Sequence, residues 1–203
     1  MEEGTDPAWT TQDSPPDANA SATPKADLQN IDQKKQAKDS FRKFWHGMLT
    51  QKYLEQDNQP AQVLPNLFVG SVGAASNWES LCSLDITHIL VAGETLALTF
   101  EESGRFEYLR ISVSDTPSTR ICDHFEKSNA FIDRGVEKGR VLVHCFAGKS
   151  RSVSLVIAYL IATNGHTYES ALAFLRNVRP HARPNNGFAM QLKAYAKQFG
   201  RNE

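Results

Sequence analysis

The run His144-Cys145-Phe146-Ala147-Gly148-Lys149-Ser150-Arg151-Ser152 directly follows the apolar residues Val141-Leu142-Val143. Its residue types and spacing suit nucleophilic attack on a phosphate ester. The aliphatic run reads as a buried strand, and Val153 to Tyr159 reads as a buried helix. A loop that closes onto a helix N-terminus turns its N–H groups toward one point, and the helix dipole adds partial positive charge there. A phosphate dianion fits such a cradle, here formed by Phe146, Ala147, Gly148, Lys149, Ser150 and Arg151. Gly148 permits the tight backbone path. Arg151 offers a planar guanidinium that holds two oxygens at once, which a lysine cannot do. A free thiol with a pKa near ~8.5 is little ionised at neutral pH, whereas helix N-termini and cations lower thiol pKa values to roughly 3.5–7.5. Cys145 therefore reads as an activated nucleophile, the alternative being a buried cysteine at a strand end.

Displacing an alkoxide or phenolate from phosphorus also needs a proton donor, which a thiolate cannot supply. A second loop must bring it. Asp115, in Ser112-Val113-Ser114-Asp115-Thr116-Pro117-Ser118, lies between an expected strand and an expected helix. By spacing alone it is equally a turn or N-cap aspartate. Asp123 is the other candidate, although its closeness to Arg120 suits a surface charge. Ser152 either donates to the sulfur of Cys145 or caps the helix, and Asn185 could equally be an N-cap.

The HCxxGxxRS pattern resembles that of the cysteine-dependent dual-specificity protein phosphatases, and the chain is most similar to small plant-type members that resemble mitogen-activated protein kinase phosphatases. The likeness runs from about Ala61 to Phe199. It includes Leu67-Phe68-Val69-Gly70-Ser71, Ile86-Thr87-His88-Ile89-Leu90, the loop itself, and a closing pattern of Arg179-Pro180, Pro184-Asn185, Gly187-Phe188 and Gln191-Leu192. The resemblance implies Cys145 as nucleophile, Arg151 as phosphate clamp, Asp115 as general acid and then base, and Ser152 as donor to the departing thiolate. It also implies that His144 and Asn185 support the loop. The implied activity is hydrolysis of phosphotyrosine and phosphoserine or phosphothreonine on proteins, through phosphocysteine, in a kinase activation loop. Two alternatives differ in kind: a phosphoinositide phosphatase, favoured by Lys149 and disfavoured by Phe146, and a non-catalytic phosphoprotein-binding module. No metal or other cofactor is expected.

These residues need a scaffold, and the remaining patterns supply one. Gln62-Val63-Leu64 and Leu67-Phe68-Val69 flank the turn pair Pro65-Asn66 and read as two strands. Ala74 to Leu84 reads as helix, Ile86 to Ala92 and Phe106 to Ser112 as strands, and Ile121 to Val136 as helix. Val141 to His144 is the central strand, and Ser150 to Thr163, Tyr168 to Val178 and Asn186 to Phe199 are three closing helices. Alternation of this kind predicts an α/β fold, a mostly parallel central sheet flanked by helices on both faces, with ligand binding at the carboxyl end of the central strand.

The first sixty residues differ. Residues 1–32 carry seven acidic and one basic side chain and few apolar ones, so they are expected to be a disordered acidic tail. Residues 33–60 carry six basic and three acidic side chains. Phe41, Phe44, Trp45, Met48 and Leu49 recur there at helical spacing, which predicts a basic amphipathic helix and a linker. Its apolar stripe either packs on the catalytic domain at 61–203, docks on a kinase or a membrane surface, or binds calmodulin, the last implied by the plant-type resemblance. Three unpaired cysteines, with no signal peptide and no membrane-length apolar run, point to a reducing compartment, cytoplasm or nucleus. The sequon Asn19-Ala20-Ser21 is then idle. Cys82 and Cys122 read as small core residues or as redox partners of Cys145. A net charge of −1 argues against nucleic acid as a partner.

Overall fold

A computed structural model describes residues 25–201. The acidic stretch before Lys25, including the sequon, lies outside the described residues. By contacts the chain divides into residues 1–43 and 44–203. The first helix, α1 (Lys25–Gln56), begins at Lys25 rather than Gln33, so residues 25–32 are helical where disorder was expected. The strands are β1 (Ala61–Leu64), β2 (Leu67–Gly70), β3 (Ile86–Ala92), β4 (Glu107–Ile111) and β5 (Arg140–His144). They form one sheet in the order β1-β2-β5-β3-β4. Only the β1–β2 hairpin is antiparallel. β5 pairs in parallel with β2 and β3, and β3 with β4. The α/β class with a mostly parallel sheet is as expected.

The run Val141-Leu142-Val143 lies in the middle strand because both of its faces are covered, which suits an unbroken apolar run. On one face α2 (Val72–Ala75) and α3 (Trp78–Ser83) enclose Phe68, Leu81, Ile89 and Leu142. On the other, Val69, Leu90, Val141 and Val143 meet α4 (Phe125–Lys138), α5 (Arg151–Asn164), α6 (Tyr168–Val178) and α7 (Asn186–Gln198). The single helix expected over 74–84 is broken in two: Ser71 and Asn77 each accept a backbone N–H, from Gly73 and Ser80, and so cap separate helices. α5 is buried from Ser152 to Ile161, so the helix that follows the loop is also the spine of the larger core. At about 1.5–3 kcal/mol per buried large aliphatic side chain, its burial fixes where its N-terminus points. That N-terminus faces the carboxyl end of β5. No described helix is long and apolar enough to cross a membrane.

Candidate active site

Between His144, the last residue of β5, and Arg151, the first of α5, the chain makes a loop whose carbonyls all find partners on its outer side. The Phe146 carbonyl accepts from the Val72 N–H at 3.1 Å, and the Lys149 carbonyl from the Arg183 N–H at 2.8 Å. Between them the Ala147 and Gly148 carbonyls both accept from the Arg179 guanidinium, each at 3.0 Å. In a trans peptide the carbonyl of one residue and the N–H of the next point in opposite directions. Four carbonyls held outward therefore turn the N–H groups of Ala147, Gly148, Lys149 and Ser150 inward. Gly148 has φ +62°, and a side chain there would collide with Gly70 and Arg179. Glycine is required on both counts.

Cys145 lies at the floor of this cradle, 1% exposed. Its sulfur accepts from the Gly148 N–H at 3.2 Å and from the Ser152 hydroxyl at 3.2 Å. Two donors aimed at one sulfur are what a thiolate needs. Ser152 is thus a donor to sulfur, not a cap. Arg151 packs against Gly93, where a side chain would crowd the guanidinium. Its Nε is buried with no hydrogen-bond partner and lies 3.6 Å from Asp115 Oδ2. A buried guanidinium N–H without an acceptor is available to an anion placed in the cradle. His144, 2% exposed, contacts the Cys145 carbonyl through Nδ1 at 3.4 Å. Burial, reinforced by the nearby charges of Arg110 and Arg151, pushes its pKa down to about 4, so it is neutral under the loop.

Asp115 is brought to the cradle as expected. Its Oδ1 accepts from the Ser150 hydroxyl at 2.7 Å and from the Asn185 side-chain amide at 2.9 Å. Ser150 is the N-cap residue of α5, yet its side chain makes no capping bond. Its hydroxyl instead holds Asp115 and accepts the Asn185 N–H at 3.2 Å, which leaves the first amides of the helix for an anion. Asn185 is both at once: its carbonyl oxygen caps α7 by accepting from Phe188, and its amide group holds Asp115. Gly187 lets α7 approach the backbone of Pro117 in the Asp115 loop. Asp123 pairs with Arg120 at 2.9 Å on the surface and takes no part. Cys122 is half-buried beside Gln191, whose side chain accepts its N–H.

Comparison with known proteins fits this geometry. The family model described as dual specificity phosphatase, catalytic domain, matches residues 67–198. The chain is 38% identical over 154 residues to dual specificity protein phosphatase 1B of Arabidopsis thaliana, covering 75% of this chain and 91% of that protein. The chain belongs to the dual specificity phosphatases. It is also 41% identical over 145 residues to MAP kinase phosphatase with leucine-rich repeats protein 3 of Dictyostelium discoideum, covering 70% of this chain but 17% of that longer protein. Among solved structures, that of the human tyrosine phosphatase-like serine/threonine/tyrosine-interacting protein matches with a TM-score of 0.66 and 33% identity, over 70% of this chain and 98% of that one. A dual specificity phosphatase is a phosphoric monoester hydrolase acting on phosphotyrosine and phosphoserine or phosphothreonine in proteins.

In this phosphatase the loop has supports that sequence reasoning missed. Phe146 is flanked by two rings of α1, His46 at a centroid distance of 4.7 Å and Tyr53 at 5.5 Å. Burial, then the charges of Asp57 and Cys145, push the Tyr53 phenol above its ordinary pKa. The helix thus meets the phosphatase through its mixed face. The apolar stripe, for which packing on the catalytic domain was one of the expected alternatives, is largely exposed, with Phe44 62%, Trp45 46% and Met48 50%. In the sequence Arg179 belongs only to the closing pattern Arg179-Pro180. It stands there among Arg176, His181 and Arg183, and nothing local distinguishes it from them.

Proposed function

We propose that this phosphatase works in two steps through phosphocysteine. Cys145 attacks phosphorus while Arg151 and the inward N–H groups hold the equatorial oxygens, and Asp115 protonates the departing oxygen of the substrate side chain. Water then attacks phosphocysteine with Asp115 accepting its proton, and the Ser152 hydroxyl stabilises the leaving thiolate. The observation that carries this reading is the convergence on one cradle of a sulfur with two donors, an arginine Nε lacking an acceptor, and a carboxylate beside it. The proposed substrate is a phosphorylated mitogen-activated protein kinase, supported by the name of the Dictyostelium relative. The outward-facing Phe44, Trp45 and Met48, with Lys43 and Lys52 nearby, support the proposal of an acidic partner such as calmodulin for α1.

A second reading as a phosphoinositide phosphatase has one observation in its favour. Lys149 opens onto a surface groove lined also by Arg176, His181 and Arg183. Substrate trapping separates the two. Asp115→Ala combined with Cys145→Ser, incubated with a lysate of the source cell, is expected to retain a doubly phosphorylated kinase and to release it when inorganic vanadate is added. Hydrolysis of phosphoinositide in vesicles at a kcat/KM above that for a phosphopeptide would reverse the assignment.

A further inference from the structure

We infer that Asp57, outside the residues matched by the family model, is a positioning residue of this active site, acting through Arg179 on the amides that bind phosphate. The inference rests on the phosphatase reading above. Its physical basis is the use made of every arm of one guanidinium. Arg179 Nε and NH2 hold the Gly148 and Ala147 carbonyls, and so turn the N–H groups of Lys149 and Gly148 into the cradle. NH1 and NH2 meet the two carboxylate oxygens of Asp57 at 2.6 and 2.5 Å. The Arg179 side chain is only 9% exposed. An unpaired cation in that position, with Lys149 and Arg151 nearby, would leave the loop for solvent or seek the substrate anion itself. Asp57 prevents both. It fixes the plane of the guanidinium with a bidentate pair and neutralises its charge.

Asp57 is itself held in place. Its N–H donates to the Tyr53 carbonyl at 3.0 Å, and its carbonyl accepts from the Ser71 hydroxyl at 2.7 Å. Gly73 gives the room for this approach, since a side chain there would overlap the Tyr53 and Asp57 carbonyls. The route from the last turn of α1 to the Gly148 N–H, which touches the Cys145 sulfur, therefore runs through Asp57 and Arg179 without a gap.

The test measures Asp57→Asn and Arg179→Lys in the full chain, with an aryl phosphate as substrate and inorganic phosphate as competitive inhibitor. Asn keeps the shape of the side chain and removes its charge. For Asp57→Asn, kcat/KM is expected to fall on the order of 10- to 10²-fold, as misplaced binding groups do, with phosphate inhibition weakening in step. Asp57→Glu should restore part of the loss. Adding Asp57→Asn to Arg179→Lys should cost less than the product of the single effects, because both act on one clamp. A folded Asp57→Asn protein whose kcat/KM and phosphate inhibition stay within about twofold of wild type, even with a lower melting temperature, would overturn the inference. If Asp57→Asn does not fold, Arg179→Lys decides by the same two readouts. A wild-type protein with no turnover would count against the phosphatase reading instead.

Discussion

Each side chain of the cradle has a separable duty. In the proposed mechanism Asp115 is needed in proportion to the basicity of the group that leaves. Asp115→Asn should cost roughly 10²–10⁴-fold on a phosphothreonine peptide and much less on an activated aryl phosphate, checked by comparing kcat/KM for the two. Equal losses would make Asp115 structural. Arg151→Lys should cost nearly as much as Arg151→Ala in kcat/KM, because lysine retains the charge but not the planar pair of donors. Recovery of most activity by lysine would show that charge alone suffices. The residues legible in the sequence were those whose duty is local: Cys145, Gly148, Arg151 and Ser152 fall within one strand-loop-helix unit. Asp115 needed the family resemblance, because an aspartate in a turn is common. Arg179 and Asp57 were not legible, since their bonds span 122 positions of sequence and no local pattern records such a pairing.

Among the elements, α1 departs most from its sequence reading. Periodicity marked Phe44, Trp45 and Met48 as a coherent face, and such a face usually points inward. Here the contact is made by His46 and Tyr53, seven residues apart and therefore on one side of the helix, because Phe146 offers them a ring. Removal of residues 1–43 should leave kcat/KM on an aryl phosphate within about twofold, since the side chains that build the site all follow Lys43. Removal of residues 1–55 also takes away His46 and Tyr53. With aromatic pairs worth about 0.5–1.5 kcal/mol each, that truncation should unfold at distinctly lower denaturant concentration. Equal midpoints for the two truncations would show that the ring contacts contribute nothing. The strands and the closing helices were read nearly to the residue because their apolar residues recur at the spacing of the element and turn or capping residues bound them. The helix expected over 74–84 was not, because Asn77 looks like an ordinary polar position until its side chain is seen to cap α3.

For the whole molecule, the buried imidazole beneath the loop ties stability to pH. The unfolded chain takes up a proton on His144 near its ordinary pKa of 6.5, whereas the folded protein resists until about 4. Between those values the unfolded state binds more protons, so stability is full above about 6.5 and is lost as pH falls, by on the order of 3 kcal/mol. Burial lowers the pKa of His88 as well, in the same direction. His144→Asn should therefore flatten, but not abolish, the fall of the urea midpoint across this range; an unchanged slope would show that His144 carries no such penalty. The same neutral imidazole contacts the carbonyl of Cys145, whose sulfur is held by the Gly148 N–H and the Ser152 hydroxyl. The proposed chemistry depends on that sulfur. The most direct test is to mix enzyme with phosphopeptide, quench in acid within one turnover, and locate phosphate by mass spectrometry of the peptide containing residue 145. One phosphoryl group is expected on Cys145, absent in Cys145→Ser, which should also lack turnover; sustained turnover in Cys145→Ser, or wild-type turnover with no phosphate ever on Cys145, would overturn the phosphocysteine mechanism.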